Sequence, residues 1–211
     1  MIIAIDGPAA AGKGTLARRL AAELGFAYLD TGLLYRAVGI GLKRAGGEPD
    51  NKEDATMAAQ RVTPACLQDP ALRSDEAGQL ASKAAIVPGV RAALLEFQRD
   101  FARTPPGGAK GAVLDGRDIG TVVCPNAACK IFVTGSLEVR AARRAKELRE
   151  RGEAVIDERV LQEMRERDER DTRRSSAPLV PARDAFVLDT SDMNAEEAFQ
   201  AALAHVRSRM G

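Results

Sequence analysis

The segment Gly7-Pro8-Ala9-Ala10-Ala11-Gly12-Lys13-Gly14-Thr15 constrains the fold of this chain more than any other. It follows the apolar run Ile2–Asp6 and opens the amphipathic pattern Lys13–Leu24, so a glycine-rich backbone must turn sharply between a strand and a helix. Successive N–H groups of such a turn, with the positive end of the helix behind them, face a polyphosphate. The letters match GxxxxGK, with the hydroxyl residue one place later than in the commonest form. Every residue from Gly7 to Thr15 is therefore an expected ATP contact, with Lys13 bridging the β- and γ-phosphates. Thr15, directly or through water, and Asp115, at the end of a later strand, are the expected holders of Mg²⁺. A bare strand-to-helix turn is the competing reading, and the coincidence of strand, glycines and lysine speaks against it.

The rest of the chain repeats the alternation. Apolar segments at Ile2–Asp6, Ala27–Asp30, Ala112–Asp115, Lys130–Thr134 and Ala185–Asp189 predict five strands whose continuous apolar character suits a buried parallel sheet. Helical patterns fall at Lys13–Leu24, Leu34–Arg44, Val90–Arg103, Leu137–Arg151, Asp157–Arg173 and Ala195–Arg209. The predicted fold is α/β: a three-layer α/β/α sandwich of the phosphate-loop type around a five-stranded parallel sheet. Residues 48–88 break the alternation with Pro49, Pro64, Pro70 and Pro88 and predict an insert at the sheet edge, while residues 149–174 are charged enough to form a solvated lid. One domain is expected, its core at 1–47, 89–148 and 175–211.

Composition excludes several classes. With 31 basic and 30 acidic residues the net charge is +1, leaving no general attraction for nucleic acid or an anionic membrane. The opening MIIAIDG is too short to span a bilayer and lacks a basic start and cleavage site, so a cytoplasmic protein is expected. Cys66, Cys124 and Cys129 have no CxxC spacing and His205 is the single histidine, which argues against a disulfide or zinc site and gives His205 no role. No feature calls for an interface, and a monomer is expected.

A phosphate loop alone does not name an acceptor, because GTPases, motor ATPases and small-molecule kinases share it. Arginines beside other polar groups recur in Tyr28–Arg36, Ser82–Arg91, Asp115–Asp118 and Arg167–Arg174. A kinase that joins two phosphorylated species must hold two polyanions in line, and arginine forks fix phosphate orientation better than lysine. Arg143 and Arg144, on the helix leading to the lid, are further candidate phosphate ligands. Kinases of other monophosphates (UMP or AMP), and a regulator that hydrolyses nucleotide without an acceptor, remain the alternatives.

GPAAAGKGT, YLDTGLLYRAV, SKAAIVPGVR, LDGRDIGTVVCP and RDERDTRRSSAPLVPARDA together resemble the bacterial cytidylate kinase family across nearly the whole chain. The DGRDIGTVV and RDxRD…APLVPARDA segments are the most discriminating; adenylate kinases would show LDGFPR in place of LDGRDIG. The resemblance implies ATP-dependent phosphorylation of CMP and dCMP with Mg²⁺, in a monomer. It implies that Thr31, Arg36, Ser82, Arg91, Arg117, Asp118, Arg167, Asp171 and Arg174 surround the acceptor. Arg36, Arg91 and Arg117 would hold its phosphate, Ser82, Arg117 and Asp118 would read cytosine, and Asp171 and Arg174 would contact the sugar. Lys13, Arg117 and Arg174 would carry the chemistry. Asp118 would separate cytosine from uracil by accepting from the exocyclic amine. Two departures stand out: Val62–Leu80 is shorter than the β-containing insert of some members, and Thr31 replaces a serine seen in some.

Overall fold

A computed structural model describes residues 1–48 and 51–210; Pro49 and Asp50 of the expected insert, and the terminal Gly211 of the expected core, lie outside the described residues. Strands β1 (Ile2–Asp6), β2 (Ala27–Asp30), β3 (Ala112–Gly116), β4 (Cys129–Thr134) and β5 (Phe186–Asp189) form one parallel sheet in the order β2-β3-β1-β4-β5. The predicted α/β sandwich is thus the observed one, with strand limits shifted by a residue at most. Alternation within β1 shows why both faces are covered. Ile3 and Ile5 enter one core with α1 (Lys13–Leu24) and α8 (Ala195–Ser208), while Ala4 enters the other with Leu114 and Ala102 of α5 (Pro88–Arg103).

Register decides what the sheet can present. Asp6 lies opposite Gly116 on β3 and Phe132 on β4, and Asp30 lies opposite Asp115, so the carboxyl ends of β1, β2 and β3 are level. Chain order reverses about β1, and a crevice opens where its two neighbours' connections diverge.

Helix limits follow local chemistry. Gly25 ends α1 in the left-handed conformation, Ser136 caps α6 (Leu137–Glu150), and Asn194 with Glu197 forms a capping box on α8. Helix α2 (Thr31–Arg44) starts three residues before the predicted Leu34 because β2 runs into it without a loop, and Pro88 supplies the first turn of α5.

The insert is α3 (Lys52–Gln60), two short 3₁₀ turns that each begin at a proline (Pro64–Gln68 and Pro70–Arg73), and α4 (Asp75–Ala84). It rests on α2 and α5 through Leu34, Val38, Ala55, Ala81 and Leu94. A smaller cluster, Ala141, Ala145 and Leu148 with Val160 and Met164, joins α6 to the charged lid helix α7 (Asp157–Arg173). Among the described residues no helix is long and apolar enough to cross a membrane.

Candidate active site

The loop after β1 takes a shape that side chains resist. At Gly7, φ is 149° and a Cβ would lie 2.0 Å from the Val133 carbonyl oxygen of β4; Gly12 (φ 87°) and even Ala10 (φ 56°) are left-handed. Lys13, first residue of α1, folds back so that its ammonium donates to the Pro8 carbonyl at 3.2 Å. Asp115, at the end of β3, accepts from the Tyr28 hydroxyl at 3.0 Å, and its carbonyl accepts from Thr31 Oγ1 at 2.8 Å. Burial and the Asp30 carboxylate push the Asp115 carboxyl up, whereas burial and the Arg117 charge pull Lys13 down.

A cleft of about 260 Å³ runs from Ala9, Ala10 and Lys13 of this loop to the insert and the lid. Cations crowd its phosphate-loop end. Burial, then repulsion from Arg117 and Arg167 among others, lowers Lys13; burial and repulsion from Arg144 and Arg117 lower Arg36; burial and the charges of Arg117, Arg36 and Arg144 lower Arg167. Arg167 Nε is buried with no hydrogen-bond partner. Arg36 is steered into the cleft by donating to the carbonyls of Leu72 (2.8 Å) and Ser74 (3.1 Å). Asp30 and Asp115 at the same end, and Asp75 and Glu147 paired with Arg144, offset part of this positive charge.

The other end is a polar network in which two carboxylates share three arginines. Asp118 is ion-paired with Arg91 and lies 3.8 Å from Arg174, while Asp171 takes Arg117 Nε at 2.9 Å and lies 4.0 Å from Arg174. Burial would raise the Asp171 pKa, but Arg117, Arg167 and Arg174 hold it below the ordinary carboxylate range. The Arg91 guanidinium stands over the Tyr35 ring, 5.6 Å from its centroid. Ser82 accepts from Arg170 at 3.3 Å.

Of the sequence-predicted residues, Lys13, Gly14, Thr31, Arg36, Ser82, Arg91, Asp115, Arg117, Asp118, Arg167, Asp171 and Arg174 meet at this one cleft. Arg91 sits with the carboxylates, away from the crowded cations. Thr15 is exposed and lines a second hollow of about 280 Å³ with Arg19, Arg143 and Thr190, so the two expected metal holders open onto different cavities. Asp115 with neighbouring Asp30 offers the hard oxygen donors that Mg²⁺ takes, at the end of the cleft where the cations would gather phosphate. Among the described residues no group of three or more His, Cys, Asp or Glu side chains is placed to hold a metal ion by itself.

Arg144 reaches the cleft, paired with Asp75 at the start of α4 and with Glu147 at 2.8 Å. Arg143 does not: it donates to Thr190 Oγ1 (2.9 Å), to the Thr190 carbonyl (2.6 Å) and to the Met193 carbonyl (3.3 Å), walling the second hollow. Sequence reasoning missed Arg140, which ties the lid to the phosphate loop by bonds to Asp168 (2.7 Å) and the Ala9 carbonyl (3.3 Å). Its only signal was membership of an arginine-rich helix, which solvated faces also show. Asp6 and Asp75 gave no signal at all.

Known proteins show the same arrangement of sequence. Residues 3–208 match the family described as cytidylate kinase. The chain is 67% identical over 208 residues to the cytidylate kinase of Paramagnetospirillum magneticum, covering 99% of this chain and 98% of that protein. It is 62% identical over 203 residues to that of Rhodospirillum rubrum, covering 96% and 95%. Among solved structures, TT1252 from Thermus thermophilus shares the fold with a TM-score of 0.51 at 22% identity, covering 100% and 98% of the two chains. Phosphate loop, acceptor-side motifs and full-length identity agree, and the chain belongs to the cytidylate kinase family.

Proposed function

We propose that this protein transfers the γ-phosphoryl group of ATP to CMP and dCMP, giving ADP and CDP or dCDP. The observation that carries the reading is one cleft in which Lys13, Arg36, Arg117 and Arg167 converge beside the phosphate loop, while Asp118 and Asp171 lie buried against Arg91 and Arg117 further along it. A nucleoside monophosphate needs both ends at once. Its phosphate meets Arg36, Arg117 and Arg167, its base meets Ser82 and Asp118, and its sugar meets Asp171 and Arg174.

In the reaction an oxygen of the CMP phosphate attacks the γ-phosphorus of ATP, and the bond from that phosphorus to the β,γ-bridging oxygen breaks. Lys13 and the arginines offset the negative charge that spreads over the equatorial oxygens, and no protein base is required because the nucleophile is already an anion. Mg²⁺, held by Asp115 with waters, would neutralise the donor phosphates. The donor's nucleoside extends into the neighbouring hollow, where Thr15 and the Arg143–Thr190 wall lie. Insert residues 48–88 and lid residues 149–174 close over both substrates, excluding the water that would otherwise hydrolyse ATP.

Coupled ADP-release assays with ATP, Mg²⁺ and CMP, dCMP, UMP or AMP test the reading. CMP-selective turnover is expected, and Asp118→Ala should reduce the preference for CMP over UMP by roughly ten- to a hundredfold, the worth of one hydrogen bond to a charged group. Equal use of all acceptors, or hydrolysis without one, would overturn it.

A further inference from the structure

Asp6 is a buried carboxylate, 5% exposed, that the reaction does not use. It ends β1, so its main chain continues into Gly7 and the phosphate loop. Its side chain turns to the neighbouring connection instead. One oxygen accepts from the Ile119 amide and the other from the Gly120 amide, each at 2.7 Å. Those amides open the single π-helical turn Ile119–Val123, whose first N–H groups have no partner within the turn, and they directly follow Arg117 and Asp118. One residue thus holds the donor loop through its backbone and the acceptor loop through its side chain.

We infer that Asp6 is a positioning residue for acceptor recognition, fixing Arg117 and Asp118 relative to the phosphate loop through the Ile119 and Gly120 amides; this rests on the cytidylate kinase reading. Both bonds require the ionised carboxylate. Burial raises its pKa to about 6; the two amides and Lys13 oppose the rise, and the nearby Asp118 carboxylate adds to it. An asparagine of the same shape can accept from one amide but presents its own N–H₂ to the other, leaving a buried donor unpaired. The consequence falls on Arg117 and Asp118, which immediately precede the two bonded amides.

The test is steady-state kinetics of Asp6→Asn, with rates normalised to folded protein by circular dichroism. The wild-type enzyme run beside it must phosphorylate CMP selectively, and its failure to do so would sink the underlying reading rather than this one. With wild type active, the variant's KM for CMP should rise by roughly five- to fiftyfold and its CMP-to-UMP preference should fall, while KM for ATP stays within about twofold. A support that merely stabilises the fold would leave KM and base preference unchanged per folded molecule. Parallel rises in both KM values would make Asp6 a prop for the donor loop. Either result overturns the inference.

If Asp6→Asn does not fold, Gly120→Ala approaches the same contact from the loop side. Its Cβ would meet Lys130 Cδ at 3.2 Å and Asp6 Oδ2 at 3.3 Å. It should shift the CMP KM and base preference in the same direction but less, and no shift would overturn the inference.

Discussion

At the scale of the residue, this protein spends stability on binding. Arg167 is held beside Arg117, Arg36 and Arg144, its Nε has no partner, and burial already disfavours its charge. Asp171 offsets it in part. The protein's own groups leave that guanidinium without full compensation, and under the proposed function the substrate phosphate would supply it. Two effects of opposite sign follow for Arg167→Met, which keeps the apolar stem but removes the charge. Without substrates the variant should be more stable than wild type by about 1 kcal/mol, read by urea denaturation. Its kcat should nevertheless fall by roughly 10²–10³-fold, the usual loss when one preorganised charge at the reacting phosphate is removed. A variant that lost both stability and activity would show instead that Arg167 is a structural ion-pair partner. Asp118 and Asp171, by contrast, are each already compensated by arginine.

The phosphate loop is where the scale of the element matters most. Its path is set by close approach to β4: the space a side chain at Gly7 would need is filled by the Val133 carbonyl, at 2.0 Å from the would-be Cβ. Gly7→Ala must therefore push the loop away from the sheet. We expect ADP formation to fall below detection and the thermal midpoint to drop, with about 2 kcal/mol or more lost, because both the left-handed backbone and the contact oppose a methyl group. Differential scanning fluorimetry beside the ADP assay checks both. The lid and insert are elements of another kind. Helix α7 buries only Val160, Met164 and Asp171 of its length, and it meets the rest of the protein largely through polar bonds such as Arg140 with Asp168 and Arg170 with Ser82. With so little apolar surface buried, α7 is the helix that the proposed closure would move most readily.

Across the whole molecule, stability is distributed unevenly, and the distribution follows function. The sheet with α1 and α8 encloses the largest apolar cluster, the insert has its own, and the lid is joined by a few residues of α6 and α7. Amide hydrogen exchange should accordingly be slowest in β1, β3 and β4 and fastest in α7 among the helices, and adding ATP, Mg²⁺ and CMP should slow α7 and α4 far more than the sheet. Equal protection throughout would argue against a moving lid. Much of this architecture was legible in the sequence. The strands and α7 could be placed to within about a residue, because sheet burial imposes apolar runs and a solvated lid imposes charge, and each local pattern answers to one local cause. The phosphate loop was legible for the same reason, since its glycines are required by backbone shape alone. Motif resemblance also named nine of the residues that share the cleft. What the sequence could not supply is how these residues are partnered. That Arg91 spends its charge on Asp118, that Arg143 faces the second hollow and Arg144 the first, that Thr15 and Asp115 open onto different cavities, and that Asp6 reaches across to Ile119 and Gly120 were decided by strand register and helix rotation. Those are settled only when distant segments pack, because a side chain's partner depends on the three-dimensional neighbours that its own stretch of chain does not contain.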